Sequence, residues 1–288
     1  MNYVLRVIVY LSLFSFSALS SAKQAESKEQ VVPKQQAQAE NALQESSGLH
    51  WEFDLGAIAF YQKSLIPSLT DYDKETSLSA IVSGGIYFDK FFAELSPLSG
   101  RPLTIGYNLY KDESRQLNLI AESLFYDISE EEQEHGNLLD GINKREQSME
   151  VGLEYFGILK TYDFRVKLLH DGLSKHDGTI GSIEVARPIF TRYVMFVPGL
   201  SFTYLDSNTT NYYFGVAPDE VTSFRSVYEA NSSWLATARL YLERPMSDNW
   251  SIVASTSYSY VSDEIHNSPF VENRKNTYNL SVGVLWAF

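Results

Sequence analysis

From Leu49 to the end of the chain, apolar and polar side chains change places at every second position. In "HWEFDLGAIAFY", Trp51, Phe53, Leu55, Ala57, Ala59 and Tyr61 share one face, while His50, Glu52 and Asp54 share the other. "SMEVGLEYF" separates Met149, Val151, Leu153 and Tyr155 from Glu150 and Glu154, and "DFRVKLL" separates Phe164, Val166 and Leu168 from Arg165 and Lys167. "SWLATARLYLE" sets Trp234, Ala236, Ala238, Leu240 and Leu242 against Thr237, Arg239, Tyr241 and Glu243. The closing "NTYNLSVGVLWAF" sets Tyr278, Leu280, Val282, Val284, Trp286 and Phe288 against Thr277, Asn279, Ser281 and Gly283. A period of two belongs to strands with a different environment on each side. No stretch of this region carries a sustained helical stripe.

The pattern predicts twelve strands, near 49–61, 78–88, 91–96, 103–111, 115–127, 148–159, 162–170, 178–190, 192–206, 233–244, 249–262 and 276–288. The connections between them alternate. Longer ones cover 62–77, 97–102, 128–147, 171–177, 207–232 and 263–275. Tight turns lie at Asp89-Lys90, Asp112 to Ser114, Lys160-Thr161, Thr191 and Pro245 to Asp248. Long external loops and short periplasmic turns are the habit of an antiparallel transmembrane β-barrel. An even number of strands puts both ends of the barrel on the short-turn side. A soluble sandwich also alternates, but it buries every apolar face against another sheet and has no reason to alternate its loop lengths. The charges decide further. Glu52, Asp54, Glu94, Glu122, Glu150, Glu154, Arg165, Lys167, Glu184, Arg239 and Glu243 all fall opposite the apolar set. In a barrel they line the lumen, where acids and bases can pair across the bore. Lipid leaves no partner for free backbone groups, so the last strand must pair antiparallel with the first, with Phe288 at the periplasmic rim.

Composition adds three constraints. There is no cysteine among 288 residues, which removes disulfides and thiolate metal sites. The formal net charge of −13 argues against nucleic acid as a partner, because phosphate binding needs a basic surface. The first 22 residues combine Arg6, the apolar run Val7 to Leu19 and the small residues "SSA", which reads as a cleavable secretory signal. That run is too short to span a bilayer, which takes roughly 20 residues. Residues 23–48 are rich in Gln, Glu, Lys and Ala without an aromatic, and such a segment reads as a flexible periplasmic tail. The domain plan is a signal over 1–22, a tail over 23–48 and a barrel over 49–288.

Several stretches of the second half resemble the MipA/OmpV family of outer-membrane proteins. "YYFGVAPDE" is similar to that family's Tyr-Tyr-Gly-Val-Ser/Ala-Pro-x-Glu signature through Tyr212, Tyr213, Gly215, Val216, Pro218 and Glu220, with Phe214 inserted. Asp171 to Val185 resembles its Asp-x-Ser-x-x-x-Gly turn with one extra residue. Asn249 to Val271 resembles its penultimate strand and following loop, carrying Ser268 and Pro269. In the first half, "LIPSLTDYD" stands where the family has Pro-x-Tyr-x-Gly-Ser. The resemblance implies a noncatalytic barrel in the outer membrane of a Gram-negative bacterium, in contact with lipid and lipopolysaccharide. It implies a scaffold that brings a lytic transglycosylase and a penicillin-binding protein together for cell-wall synthesis. Other members point to a passive small-solute channel or a surface receptor or adhesin. The aromatic end from Tyr278 to Phe288 is similar to the signal read by the outer-membrane assembly machinery.

Chemistry is sparse. The five histidines include His170 and His176, which stand beside Asp171 and Asp177 in "HDGLSKHDG". Metal sites want ligands at fixed spacing, and this loop reads better as a solvated polar turn. An outer-membrane hydrolase is the most distant reading. His170 and Ser174 are close, but no Gly-x-Ser-x-Gly elbow is present. The acidic loop Asp127 to Glu146 offers hard oxygen ligands and matches no defined calcium loop. The sequence therefore predicts no catalytic residue, no metal and no cofactor.

Overall fold

The computed structural model describes residues 48–63, 65, 76–96, 98, 101–123, 139–271 and 274–288. The expected signal, the tail apart from Gly48, and residues 127–138 of the acidic loop lie outside the described residues. The strands are β1 (Leu49–Lys63), β2 (Thr76–Phe88), β3 (Phe91–Ser96), β4 (Arg101–Lys111), β5 (Arg115–Glu122), β6 (Glu150–Leu159), β7 (Tyr162–Asp171), β8 (Thr179–Ala186), β9 (Ile189–Phe190), β10 (Met195–Leu205), β11 (Ser233–Pro245), β12 (Trp250–Val261) and β13 (Asn276–Ala287). Two short helices, α1 (Ser207–Phe214) and α2 (Asp263–His266), sit in the long connections. Among the described residues no helix is long and apolar enough to cross a bilayer.

Every wall strand pairs antiparallel with its neighbour, and β13 pairs with β1 from Tyr278↔Lys63 to Ala287↔Asp54. That seam closes a barrel of twelve wall strands, with β9 a two-residue addition to the β8–β10 hairpin. No edge is left to hydrogen-bond with lipid. The seam is tight. A Cβ on Gly56 would lie 2.1 Å from the Val284 carbonyl oxygen, and one on Gly283 would lie 2.4 Å from that of Ala57. The Phe288 N–H donates to the Phe53 carbonyl at 3.2 Å, which ties the last residue to the short-turn rim.

Two expectations are corrected. The eighth strand, expected over 178–190, breaks at Arg187 and Pro188, because proline brings no N–H to the ladder. The ninth, expected from 192, begins at Met195, because residues 191–194 form a turn tied by the Thr191 hydroxyl to the Val194 carbonyl at 2.7 Å. A bulge at Asn108/Tyr110 was also not visible in the alternation. It turns the consecutive residues Leu109 and Tyr110 both outward, 46% and 52% exposed.

Outward residues such as Leu153, Leu168, Ile183, Leu200 and Val282 are exposed to what is lipid in the membrane, while their inward neighbours are buried. The bore is less polar than the sequence suggests. Ile58, Phe60, Ile81, Val197, Tyr241, Val253 and Leu285 point inward and pack together, with Leu98 and Met195 against them. Phe92, Ile120 and Leu169 form a second inward cluster. Small residues on the same faces, such as Gly283 and Ala186, give these side chains room.

Candidate functional site

The charges expected in the lumen divide into two groups by burial. Glu122, Glu150, Glu154, Arg165, Lys167 and Glu184 are buried, between 0% and 7% exposed. Glu52, Asp54, Glu94, Arg239 and Glu243 are half-buried. Strand register assembles the first group. Glu154 stands opposite both Asn118 and Lys167, and Arg165 stands opposite Glu184. Lys167 Nζ donates to both Glu122 oxygens at 2.8 Å and lies 4.0 Å from Glu154. Asn118 Nδ2 donates to Glu154 at 3.1 Å, and Arg165 Nε approaches the same carboxylate at 3.2 Å as an ion pair rather than a directed hydrogen bond. Buried charge is costly unless paired, and this belt pairs its charges across the neighbouring strands β5 to β8.

In the second group Tyr87 stands between carboxylates, its hydroxyl 3.3 Å from Glu94 and 3.5 Å from Glu52. Ser83 reaches Asp54 at 3.4 Å, and Tyr241 donates to Glu243 at 3.1 Å.

Over the external mouth the long loops fold into a cap with its own core. Leu139, Ile142, Tyr213, Phe214, Val216, Ile265, Phe270 and Val271 meet the outer strand residues Ile180, Leu205, Leu235 and Val261. The motif residues of "YYFGVAPDE" build this cap. Asp206 starts α1 by accepting the Thr209 N–H at 2.9 Å and also holds the Thr179 N–H at 2.8 Å. Tyr212 accepts the Glu146 N–H at 2.8 Å, and Tyr213 donates to the Glu146 carbonyl at 3.4 Å. The inserted Phe214 is absorbed as the last residue of α1, its carbonyl accepting Ser268 Oγ at 2.7 Å. Gly215 offers its carbonyl to Arg145 at 3.3 Å, and Val216 exchanges two backbone bonds with Tyr228. Pro218 opens a single 3₁₀ turn whose Glu220 is buried. Glu220 accepts the N–H groups of Asn143 and Ala217, each at 2.7 Å, and pairs with Arg145 at 2.8 Å. Pro269 follows Ser268 in a turn closed by the Val271 N–H on the Ser268 carbonyl at 3.0 Å.

Arg145 and Arg225 were not singled out from the sequence, yet they bind the cap together. Arg225 is 1% exposed and donates to the Glu220 carbonyl at 2.7 Å and the Asp140 carbonyl at 2.6 Å. Neither carries a sequence signal that pairs them: Arg145 follows Lys144 in one loop, and Arg225 stands 80 residues away in another.

The loop after β7 winds around Asp171, which accepts N–H groups from Leu173, His176 and Asp177 and the hydroxyl of Ser148. His176 is buried beneath it. Its Nδ1 accepts the Gly178 N–H at 3.0 Å, so Nε2 carries the proton and donates to Glu150 at 2.8 Å. Gly178 is required by closeness, since a Cβ there would lie 2.1 Å from Thr209 Oγ1. Glu146 sits at the cap surface between Lys175 and Lys144, whose hydrogen bonds hold its carboxyl down at about 2. Burial, reinforced by Glu264, pushes the Tyr228 hydroxyl up to about 12.

His170 and His176 do not converge. His170 lies on the outward face and meets Thr179 at 3.1 Å, whereas His176 turns inward. Among the described residues no three His, Asp or Glu side chains form a metal-binding group. The hydrogen bond of His170 goes to Thr179 rather than Ser174, so the geometry of a base beside its nucleophile is not met there.

The family model described as MltA-interacting protein MipA matches residues 55–288. The putative outer membrane protein YiaT of Escherichia coli K12 is 25% identical over 240 residues, covering 82% of this chain and 91% of its own. The MltA-interacting protein of the same strain is 25% identical over 190 residues, covering 65% of this chain and 75% of its own. Among solved structures, Pseudomonas putida OprB covers 88% of this chain and 97% of its own at 9% identity, with a TM-score of 0.38.

Proposed function

The chain belongs to the MipA/OmpV family of outer-membrane proteins, and from that premise we propose that it is a noncatalytic barrel with a closed bore, acting as an interaction platform for cell-wall enzymes. The partner in this reading is a lytic transglycosylase, with a bifunctional penicillin-binding protein brought beside it. The relative named MltA-interacting protein supports the first partner. The observation that carries the reading is the burial of the lumen belt, Glu122 to Glu184, beneath a cap that has its own core. A water-filled channel keeps its wall charges hydrated, whereas here they satisfy one another.

The short turns and the 23–48 tail face the periplasm in this reading, where such enzymes work. Two measurements test it together. Folded barrel in planar bilayers gives no conductance steps, and immobilised barrel retains a purified lytic transglycosylase. Stepwise conductance from the unaltered protein would favour a small-solute channel. Absence of capture by both the full chain and a chain lacking 23–48 would remove the platform. Equal capture by both would move the contact from the tail to the turns.

A further inference from the structure

The periplasmic rim is uneven in charge. Lys160 lies in the β6–β7 turn, Arg187 just past β8, Arg192 between β9 and β10, and Arg244 near the end of β11, and all four are exposed. Among the described residues none of the four has a carboxylate at ion-pair distance. Elsewhere on the rim charge is balanced, as where Arg115 pairs with Asp112 at 3.0 Å. Asp163 belongs to this sector but faces the bore, and Asp248 in the β11–β12 turn is its remaining carboxylate among the described residues outside the bore. In a chain of net charge −13, four cations in one sector are a local reversal of sign.

Their placement is on the lipid side. Arg187 continues the outward series Ile183 and Val185, and Arg244 continues the series Trp234 to Leu242. The Arg187 guanidinium lies 5.5 Å from the ring of the outward-facing Tyr162, and that of Arg192 lies 5.3 Å from the ring of Tyr193. Leu159, opposite Tyr162, is exposed, and so is Ile189. Stacking on an aromatic face holds a guanidinium in one plane, which suits two-point binding of a phosphate. Exposed aromatic and aliphatic groups beside it suit the glycerol and first methylenes of a lipid.

We propose that this sector of the rim, from β6 to β11, binds the headgroups of anionic phospholipids in the periplasmic leaflet. Lys160, Arg187, Arg192 and Arg244 hold phosphate, and Tyr162, Tyr193, Leu159 and Ile189 hold the apolar shoulder of the same molecule. Acidic soluble proteins would lack use for that shoulder. The inference is independent of the platform reading above.

The test uses the full chain in a neutral detergent, titrated with short-chain phosphatidylglycerol, with phosphatidylcholine of the same chains, or with glycerol phosphate. Lipid retention is read by native mass spectrometry. Phosphatidylglycerol binds saturably and in preference to phosphatidylcholine, and each cation removed (Lys160→Gln, Arg187→Gln, Arg192→Gln, Arg244→Gln) weakens it about fivefold. Arg115→Gln, on the balanced part of the rim, leaves it unchanged. Heat-dependent gel migration establishes that each variant is folded. All four replacements combined abolish the preference for phosphatidylglycerol, and if that combination does not fold, the single variants carry the test. Equal binding of the two lipids, or undiminished binding by the variants, overturns the proposal. So does glycerol phosphate binding as tightly as lipid, which would mark a free-anion site. Loss of enzyme capture by the variants with lipid binding intact would make the sector a protein contact and overturn it as well.

Discussion

Lys167 shows what a single residue does in this bore. It lies within reach of two buried carboxylates, Glu122 at 2.8 Å and Glu154 at 4.0 Å. Replacing it by alanine removes the cation that donates to both Glu122 oxygens, whereas Glu154 keeps Arg165 at 3.2 Å, and losing one partner of a buried pair costs about 3–5 kcal/mol. Lys167→Ala is therefore expected to lower the urea midpoint of the barrel in detergent sharply. Lys167→Met combined with Glu122→Gln is expected to recover much of that loss, because one buried charge then goes with the other. Equal destabilisation by both variants would count against pairing as the cause. At the cap surface Glu146 has its carboxyl held at about 2, down from an ordinary 4.5, by Lys175 and Lys144. A depressed carboxylate stabilises the fold fully above its ordinary value, and that share is lost as the pH falls from there toward about 2. The protection of amides over 171–178, taken relative to their intrinsic exchange rate at each pH, should therefore fall across that window in the unaltered protein. Glu146→Gln should remove this step, so a persisting step would assign it to another group.

At the scale of elements, the closing seam is the sensitive joint. Gly283 of β13 faces the Ala57 carbonyl so closely that a side chain there must push the two strands apart. Gly283→Val is expected to give a chain that assembles poorly, read as loss of the heat-modifiable band, while Ser281→Val two residues earlier, on the same inward face, is expected to be milder. The strands themselves were legible because alternation is local. Trp51 to Tyr61 and Tyr278 to Phe288 each announce an outward face without help from any other segment. The bulge at Asn108/Tyr110 and the break at Pro188 were harder to see. The first depends on how β4 meets β5, and the second needs the knowledge that the ladder was still required there.

At the scale of the whole molecule, the closed bore proposed above rests on three groups of side chains. The cap core lies at the outer mouth, the Glu122–Lys167–Glu154 belt lies on the inner face of the wall, and Ile58, Phe60, Ile81, Val253 and Leu285 form an inward apolar cluster. Replacing residues 207–231 by a short linker should therefore leave the barrel electrically silent in planar bilayers, since the two inner groups remain. Steady conductance after this deletion alone would assign the whole barrier to the cap. The motif that marks the family by sequence, Tyr212 to Glu220 with Ser268 and Pro269, turns out to be cap architecture. It is the set of residues that folds loops over the mouth.

The sequence by itself determined the membrane-facing surface, the number of wall strands and the side on which the short turns lie. All of these follow from a period of two and from loop length, which are properties of neighbouring residues. Only the tertiary structure decided which charge meets which, and that the loops form a core. Arg145 reaches Glu220 across 75 positions and Lys167 reaches Glu122 across 45. Those meetings depend on strand register and on the closing of the ring, and neither is written in any single stretch of chain.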